Sequence, residues 1–178
     1  LTILTTARLR LEPFADHHLD GLHAMNRLPE VMQYITGQPE TREDTQAGID
    51  RVKARWAEWG YSWWAFIDPE HERVAGAGCI QHLGRERHLP LEIGWRLHPD
   101  YWRRGLASEA AEAMAAFAFT GLGAPLLTAI RHPDNRASAQ VMARLGMRYR
   151  GMEHWHDTWV AVHEMSAAEW AARHPAPP

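Results

Sequence analysis

The stretch Tyr101-Trp102-Arg103-Arg104-Gly105-Leu106-Ala107-Ser108 joins two charged side chains to a glycine and then to a run of small residues. That order suits the capture of an anion. A helix that opens directly after such a loop leaves its first backbone N–H groups without intrahelical partners, at the positive end of the helix dipole. A phosphate is the natural occupant of such a spot. Arg103 and Arg104 bring positive charge beside it, and Ala107, Ser108, Ala110 and Ala111 allow a bulky ligand or a sheet to come close. Gly105 would serve a tight turn equally well, since an isolated glycine before a helix is common punctuation.

The elements that must position this loop can be read from periodicity. Residues 91–97 form a strand that ends at His98-Pro99-Asp100, and the helix after the loop runs from Ala107 to about Thr120. Its stripe of Leu106, Ala110, Met114 and Phe117 should lie on a sheet. Residues 6–13 alternate apolar and charged side chains with the period of a half-buried strand. Asp16 offers an N-cap for a helix carrying Leu19, Leu22, His23 and Met25, and Thr41 with Asp44 for another that runs to about Gly60. Residues 61–67 and 74–83 read as a hairpin, in which Gly76 and Gly78 either weaken the second strand or admit a close neighbour. A short buried strand over 125–131 is followed by Asp134 or Asn135 as the cap of a helix over 136–145, which Gly146 closes. Strands over 147–152 and 158–165 flank a polar loop, and the prolines at 175, 177 and 178 mark a frayed tail from 171. The order βααβββαβαββ predicts a mixed α/β (α+β) fold with one largely antiparallel sheet and a single parallel crossover.

Composition narrows the function classes. A chain of 178 residues with 46% hydrophobic residues supports one domain, with a core over about 5–170. A net charge of -3 and no concentrated basic face argue against a nucleic-acid or polybasic membrane-binding role. The single Cys79 excludes an intrachain disulfide and a cysteine-based zinc cluster, and fits a reducing cytoplasm. No apolar run approaches the length of a membrane span. Twelve histidines are scattered along the chain, and His154-x-His156 lacks the further ligands of a metal centre, so no metal is expected. A monomer or homodimer is expected.

Four stretches together resemble the GNAT superfamily of acyl-CoA-dependent N-acetyltransferases, and within it the RimJ/RimL-type branch. They are Thr6-Ala7-Arg8-Leu9-Arg10-Leu11, the run from Glu92-Ile93-Gly94-Trp95 to Ala110, Asn135-Arg136-Ala137-Ser138, and Leu145-Gly146-Met147. The resemblance implies the GNAT fold: a central, mostly antiparallel, seven-stranded twisted sheet with helices on both faces, splayed between strands 4 and 5. Those two are the strands over 91–97 and 125–131. It implies acetyl-CoA as co-substrate, with pantetheine inserted in the opening near Arg96 and Leu97. The pyrophosphate would lie on the N–H groups from Arg103 and Arg104 through Gly105 and Leu106 to Ala107 and Ser108. Asn135 would meet the pantetheine arm, a role that competes with its capping the helix that follows.

Transfer of an acetyl group to a primary amine, either a protein N-terminus or a small molecule, needs positioning, a proton acceptor, carbonyl polarisation and a proton for the thiolate. The resemblance points to Glu92 as base, with His132, Glu153 and His154 as alternatives. Backbone N–H near Arg96 and Leu97 could polarise the carbonyl. Many relatives place an acidic tyrosine seven residues beyond the asparagine; Met142 stands there in this chain, and Ser138 is assigned the acid role instead. Two other readings stand beside acetyl transfer: a non-catalytic acyl-CoA-binding or regulatory domain, motivated by Met142, and a transferase using a longer donor such as succinyl-CoA. The acceptor pocket is expected among residues 25–60, the aromatic strand with Trp63 and Trp64, and the loop with Trp155 and Trp159.

Overall fold

The computed structural model describes residues 1–178. The strands are β1 (Leu4–Thr5), β2 (Arg10–Pro13), β3 (Trp63–Asp68), β4 (Arg73–His82), β5 (Leu91–Leu97), β6 (Leu126–Arg131), β7 (Arg148–Trp155) and β8 (Thr158–Ser166). The helices are α1 (Leu19–Asn26), α2 (Pro29–Met32), α3 (Arg42–Trp59), α4 (Leu106–Ala116), α5 (Arg136–Leu145) and α6 (Ala167–Arg173). One mixed sheet runs β1-β2-β3-β4-β5-β6-β8-β7. It is antiparallel except between β5 and β6, the pair joined through α4. A helical crossover of this kind is the usual way to bring two parallel strands together.

The sheet holds eight strands where seven were expected. The extra strand is β1, a two-residue piece in which Leu4 pairs with Leu11 and Thr5 with Arg10. Its neighbours Thr6 and Arg8 are held by the Glu109 carboxylate of α4, at 2.6 Å from Thr6 Oγ1 and 2.9 Å from Arg8 N. Long-range contacts of that kind leave no local periodicity to read. The helix α6 continues past the point where a frayed tail was expected, to Arg173, and the His174 ring stacks on buried Trp170 at 3.7 Å.

Alternation along the strands sends side chains to two cores. Trp64, Phe66, Ile93, Met114 and Leu127 belong to the larger one, under α4 and α5. Ala65, Ile67, Ala77, Leu22 and Met25 of α1 and Ile49 of α3 form the smaller one, while Val52 and Trp56 of α3 belong to the larger. Gly78 explains how α4 comes so near the sheet: a Cβ there would lie 2.7 Å from Met114 Cε and 2.8 Å from Gly94 O. Cys79, next along β4, is fully enclosed, and burial pushes its thiol up. No helix is long and apolar enough to cross a membrane.

Candidate active site

The start of α4, like those of the short α1 and α2, differs from those of α3, α5 and α6. Thr41 Oγ1, Asn135 Oδ1 and Ser166 Oγ accept from the N3 backbone N–H of α3, α5 and α6 at 3.0, 3.2 and 3.1 Å. α4 has no such side-chain cap; its N-cap is Gly105, in the left-handed region at φ 74. Its first intrahelical donor is Glu109 N, to Gly105 O at 3.1 Å. The N–H groups of Leu106, Ala107 and Ser108 are therefore directed outward with no helical acceptor. Ser108 Oγ is buried without a hydrogen-bond partner.

These groups open into a cavity of about 520 Å³, bordered also by Arg103 and by Arg136 and Arg144 of α5. Uncapped N–H groups, an orphaned hydroxyl and three arginines around one opening, with Glu30 and Asp134 as its acids, give a surround chemically suited to an anion. The Trp102 indole N–H donates to Leu97 O at 2.9 Å, tying the loop to the end of β5.

The cavity continues into a gap in the sheet. β5 and β6 pair only at Leu91 with Leu127 and Glu92 with Thr128. Thr128 Oγ1 donates to Leu91 O at 2.9 Å there. Beyond that point the two strands diverge, and Ile93 to Leu97 have β4 as their one paired neighbour. An elongated ligand can lie in this opening.

A second cavity, of about 450 Å³, lies on the α1/α3 face of the sheet. Arg96 and Ile35 border both cavities. The Arg96 guanidinium sits 4.8 Å over the Trp63 ring and donates to Asn26 Oδ1 at 3.3 Å, while its Nε is buried and unpartnered. Desolvation holds its pKa below the usual arginine range.

Glu92 lies across from Gln81 on β4 and is 7% exposed. Burial raises its carboxyl from 4.5 to about 7, against the lowering influence of Arg85 and Gln81. A carboxyl near neutrality is suited to accept a proton. Glu92 itself borders neither cavity; Arg85, whose charge acts on it, borders the second.

Of the residues singled out from sequence, Arg96, Leu97, Arg103, Gly105, Leu106, Ala107, Ser108, Asn135 and Ser138 surround the first cavity. Arg104 does not. Its guanidinium stacks 5.3 Å over the Tyr101 ring, and its carbonyl accepts from Arg8 at 2.8 Å. Asn135 both caps α5 and faces the cavity. Met142 is buried in the larger core and does not border the cavity. Among the four tryptophans expected to wall a pocket, Trp63 borders the second cavity, while Trp64 is fully buried and Trp159 is 61% exposed. Glu40, Arg51 and Arg55 fall within the 25–60 stretch expected to build the acceptor pocket, without having been singled out there, and Arg85 lies outside it. The spacing of Arg51 and Arg55, one turn apart on a helix, was the signal for two of them; nothing local announces that Arg85 joins them.

The family model described as "Acetyltransferase (GNAT) domain" matches residues 8–148. An uncharacterized N-acetyltransferase of Bacillus subtilis (strain 168), YnaD, is 27% identical over 176 residues, covering 94% of this chain and 98% of that one. The FsC-acetyl coenzyme A-N(2)-transacetylase of Aspergillus fumigatus is 28% identical over 152 residues, 82% of this chain and 65% of that one. Among solved structures, an acetyltransferase from Agrobacterium tumefaciens str. C58 superposes with a TM-score of 0.80 at 26% identity, covering 93% of this chain and 94% of the other. The ribosomal-protein-S5-alanine acetyltransferase of Vibrio fischeri gives a TM-score of 0.80 at 12% identity, covering 96% and 99%, a likeness of fold alone.

Proposed function

We propose that this chain, which belongs to the GNAT acetyltransferase family, transfers an acetyl group from acetyl-CoA to a primary amine by direct attack of the amine on the thioester. The observation that carries the reading is the uncapped start of α4, opening into a cavity that meets a second one at Arg96. The residues present fit the donor. The N–H groups of Leu106, Ala107 and Ser108, with the Ser108 hydroxyl, suit the pyrophosphate, and Arg103 neutralises charge beside it. Asn135 and Ser138 border the cavity that would take the pantetheine arm, and the Leu97 backbone N–H, on the side of β5 away from β4, is suited to polarise the carbonyl, while that of Arg96 faces β4.

The amine enters from the second cavity. Its nitrogen forms the amide bond as the C–S bond breaks; Glu92 accepts the ammonium proton, and the departing thiolate takes one through Ser138. An α-amino group titrates at about 7.7–8.0, close enough to a carboxyl at about 7 for the transfer to be nearly balanced. Arg85, whose charge acts on that carboxyl, borders the same cavity; a guanidinium keeps its own protons, so the transferred proton reaches Glu92 through water. A CoA thiolate is a good leaving group, so Ser138 contributes modestly.

Within the family we assign the chain to the RimJ/RimL-type branch, on Thr6 to Leu11 and Asn135-Arg136-Ala137-Ser138. The same reading makes it a cytoplasmic monomer or homodimer whose partner is the acceptor amine, with no metal and no nucleic acid. The test is thiol release with acetyl-CoA or succinyl-CoA over a panel of amines. Amine-dependent release with acetyl-CoA is expected. Tight acetyl-CoA binding with no amine accelerating release overturns the reading in favour of a non-catalytic binding domain, and release with succinyl-CoA alone overturns the donor.

A further inference from the structure

We propose that the second cavity selects small primary amines carrying an anionic group, a carboxylate or phosphate, which Arg51, Arg55 and Arg85 hold while Glu40 faces the ammonium. This deepens the acetyltransferase reading above and rests on it.

Three guanidinium groups converge on the cavity from two directions. Arg51 and Arg55 stand one turn apart on α3, and Arg85 comes from the turn after β4. None of them is in an ion pair, and the neighbouring acids are engaged elsewhere. The Asp44 carboxylate accepts from Thr41 N at 2.9 Å, Glu58 faces Arg87 at 4.0 Å, and Glu40 accepts from Asn26 Nδ2 and Thr45 Oγ1 at 3.0 Å each. Burial, followed by the charges of Arg85 and Arg51, holds the half-buried Arg55 below its usual range. Like charges gathered in a partly desolvated space with no acid in salt-bridge contact repel one another, and a bound anion relieves that repulsion.

The cavity also has a negative pole. Glu40 is the one acid that borders it, and its charge acts on Arg96, where the two cavities meet. Thr45, which bonds Glu40, and Arg55 are ten positions apart on α3, about 15 Å along the axis. An ammonium drawn to Glu40 is therefore held beside the thioester end, and the anionic group lies toward Arg55 and Arg85. Arg55 stands 5.9 Å over the Trp59 ring, which restricts the guanidinium before any ligand arrives. A volume of about 450 Å³ suits a small molecule.

The experiment measures kcat/KM at saturating acetyl-CoA for amines paired with and without the anion: lysine against cadaverine, 6-aminohexanoate against hexylamine, and 6-aminohexyl phosphate against 6-aminohexanol. The anionic member should be preferred by at least about tenfold, the effect of one or two charge-assisted hydrogen bonds. The carboxylate and phosphate pairs then tell the two anions apart. Arg55→Ala should remove the preference by raising KM for the anionic amine, and Arg51→Glu should turn it toward cadaverine, a change of direction that loss of folding cannot produce. Equal kcat/KM within every pair overturns the inference while acetyl transfer stands. Absence of thiol release with every amine instead overturns the transfer reading itself. A preference for acidic peptide N-termini over all the small amines, or for succinyl-CoA lost in the arginine variants, also overturns it, by giving the arginines to a protein substrate or to the donor.

Discussion

Glu92 has its acidity set by enclosure, since burial is the largest cause of the rise from 4.5 to about 7. If it accepts the amine's proton, the rate of acetyl transfer rises with pH through about 7. Glu92→Gln should lower kcat by about 10²-fold and flatten that rise, a typical loss for one acid–base group; an unaltered pH profile moves the role to another residue. The same group bears on stability. Because the folded state binds this proton more tightly than the unfolded chain does, its contribution to folding is fully present below about 4.5 and is lost as pH rises through about 7. The unfolding free energy of Glu92→Gln relative to wild type should therefore grow by about 3 kcal/mol across that interval, read from urea melts. Sequence identified Glu92 through a family likeness, yet could not say which face of the strand it takes. The pairing with Gln81 decides that, and such pairing is a property of the sheet. Arg104 shows the same limit from the other side: its charge is beside the anion loop in sequence, but its side chain is spent on Tyr101.

Local chemistry alone specifies some elements. The α5 helix occupies the span expected of it, Arg136–Leu145, because Asn135 caps one end and Gly146, at φ 99, closes the other. The α6 helix has an equally local signal in the capping box of Ser166 and Glu169. By contrast β1 is two residues long and exists only because β2 and α4 hold it. The α4 start joins both kinds of information: Gly105 is legible, and the missing cap becomes meaningful once the cavity is seen beside it. Gly105→Val should raise the CoA dissociation constant at least about tenfold, since a β-branched residue resists the left-handed backbone at φ 74. Its cost in stability should be about 1–2 kcal/mol. Isothermal titration of a folded variant with unchanged affinity would remove the loop from the binding site.

For the molecule as a whole, the divergence of β5 from β6 leaves a sheet with fewer cross-strand bonds where the two cavities meet. A ligand lying in the gap bridges both halves and binds only the folded state. At a hundred times its dissociation constant CoA should add about 2.7 kcal/mol, moving the melting temperature up by about 5–10 °C for a chain of this size. A calorimetric scan with no shift at that concentration would mean that CoA does not occupy the folded protein. The chain also holds its own reporter of how often that sheet comes apart. Cys79 is its one thiol, sealed on β4 next to the strand that borders the gap. An alkylating reagent reaches this sulfur only while β4 is parted from its neighbours, so the speed of modification in mild conditions is a clock for that opening. The clock needs no engineered label.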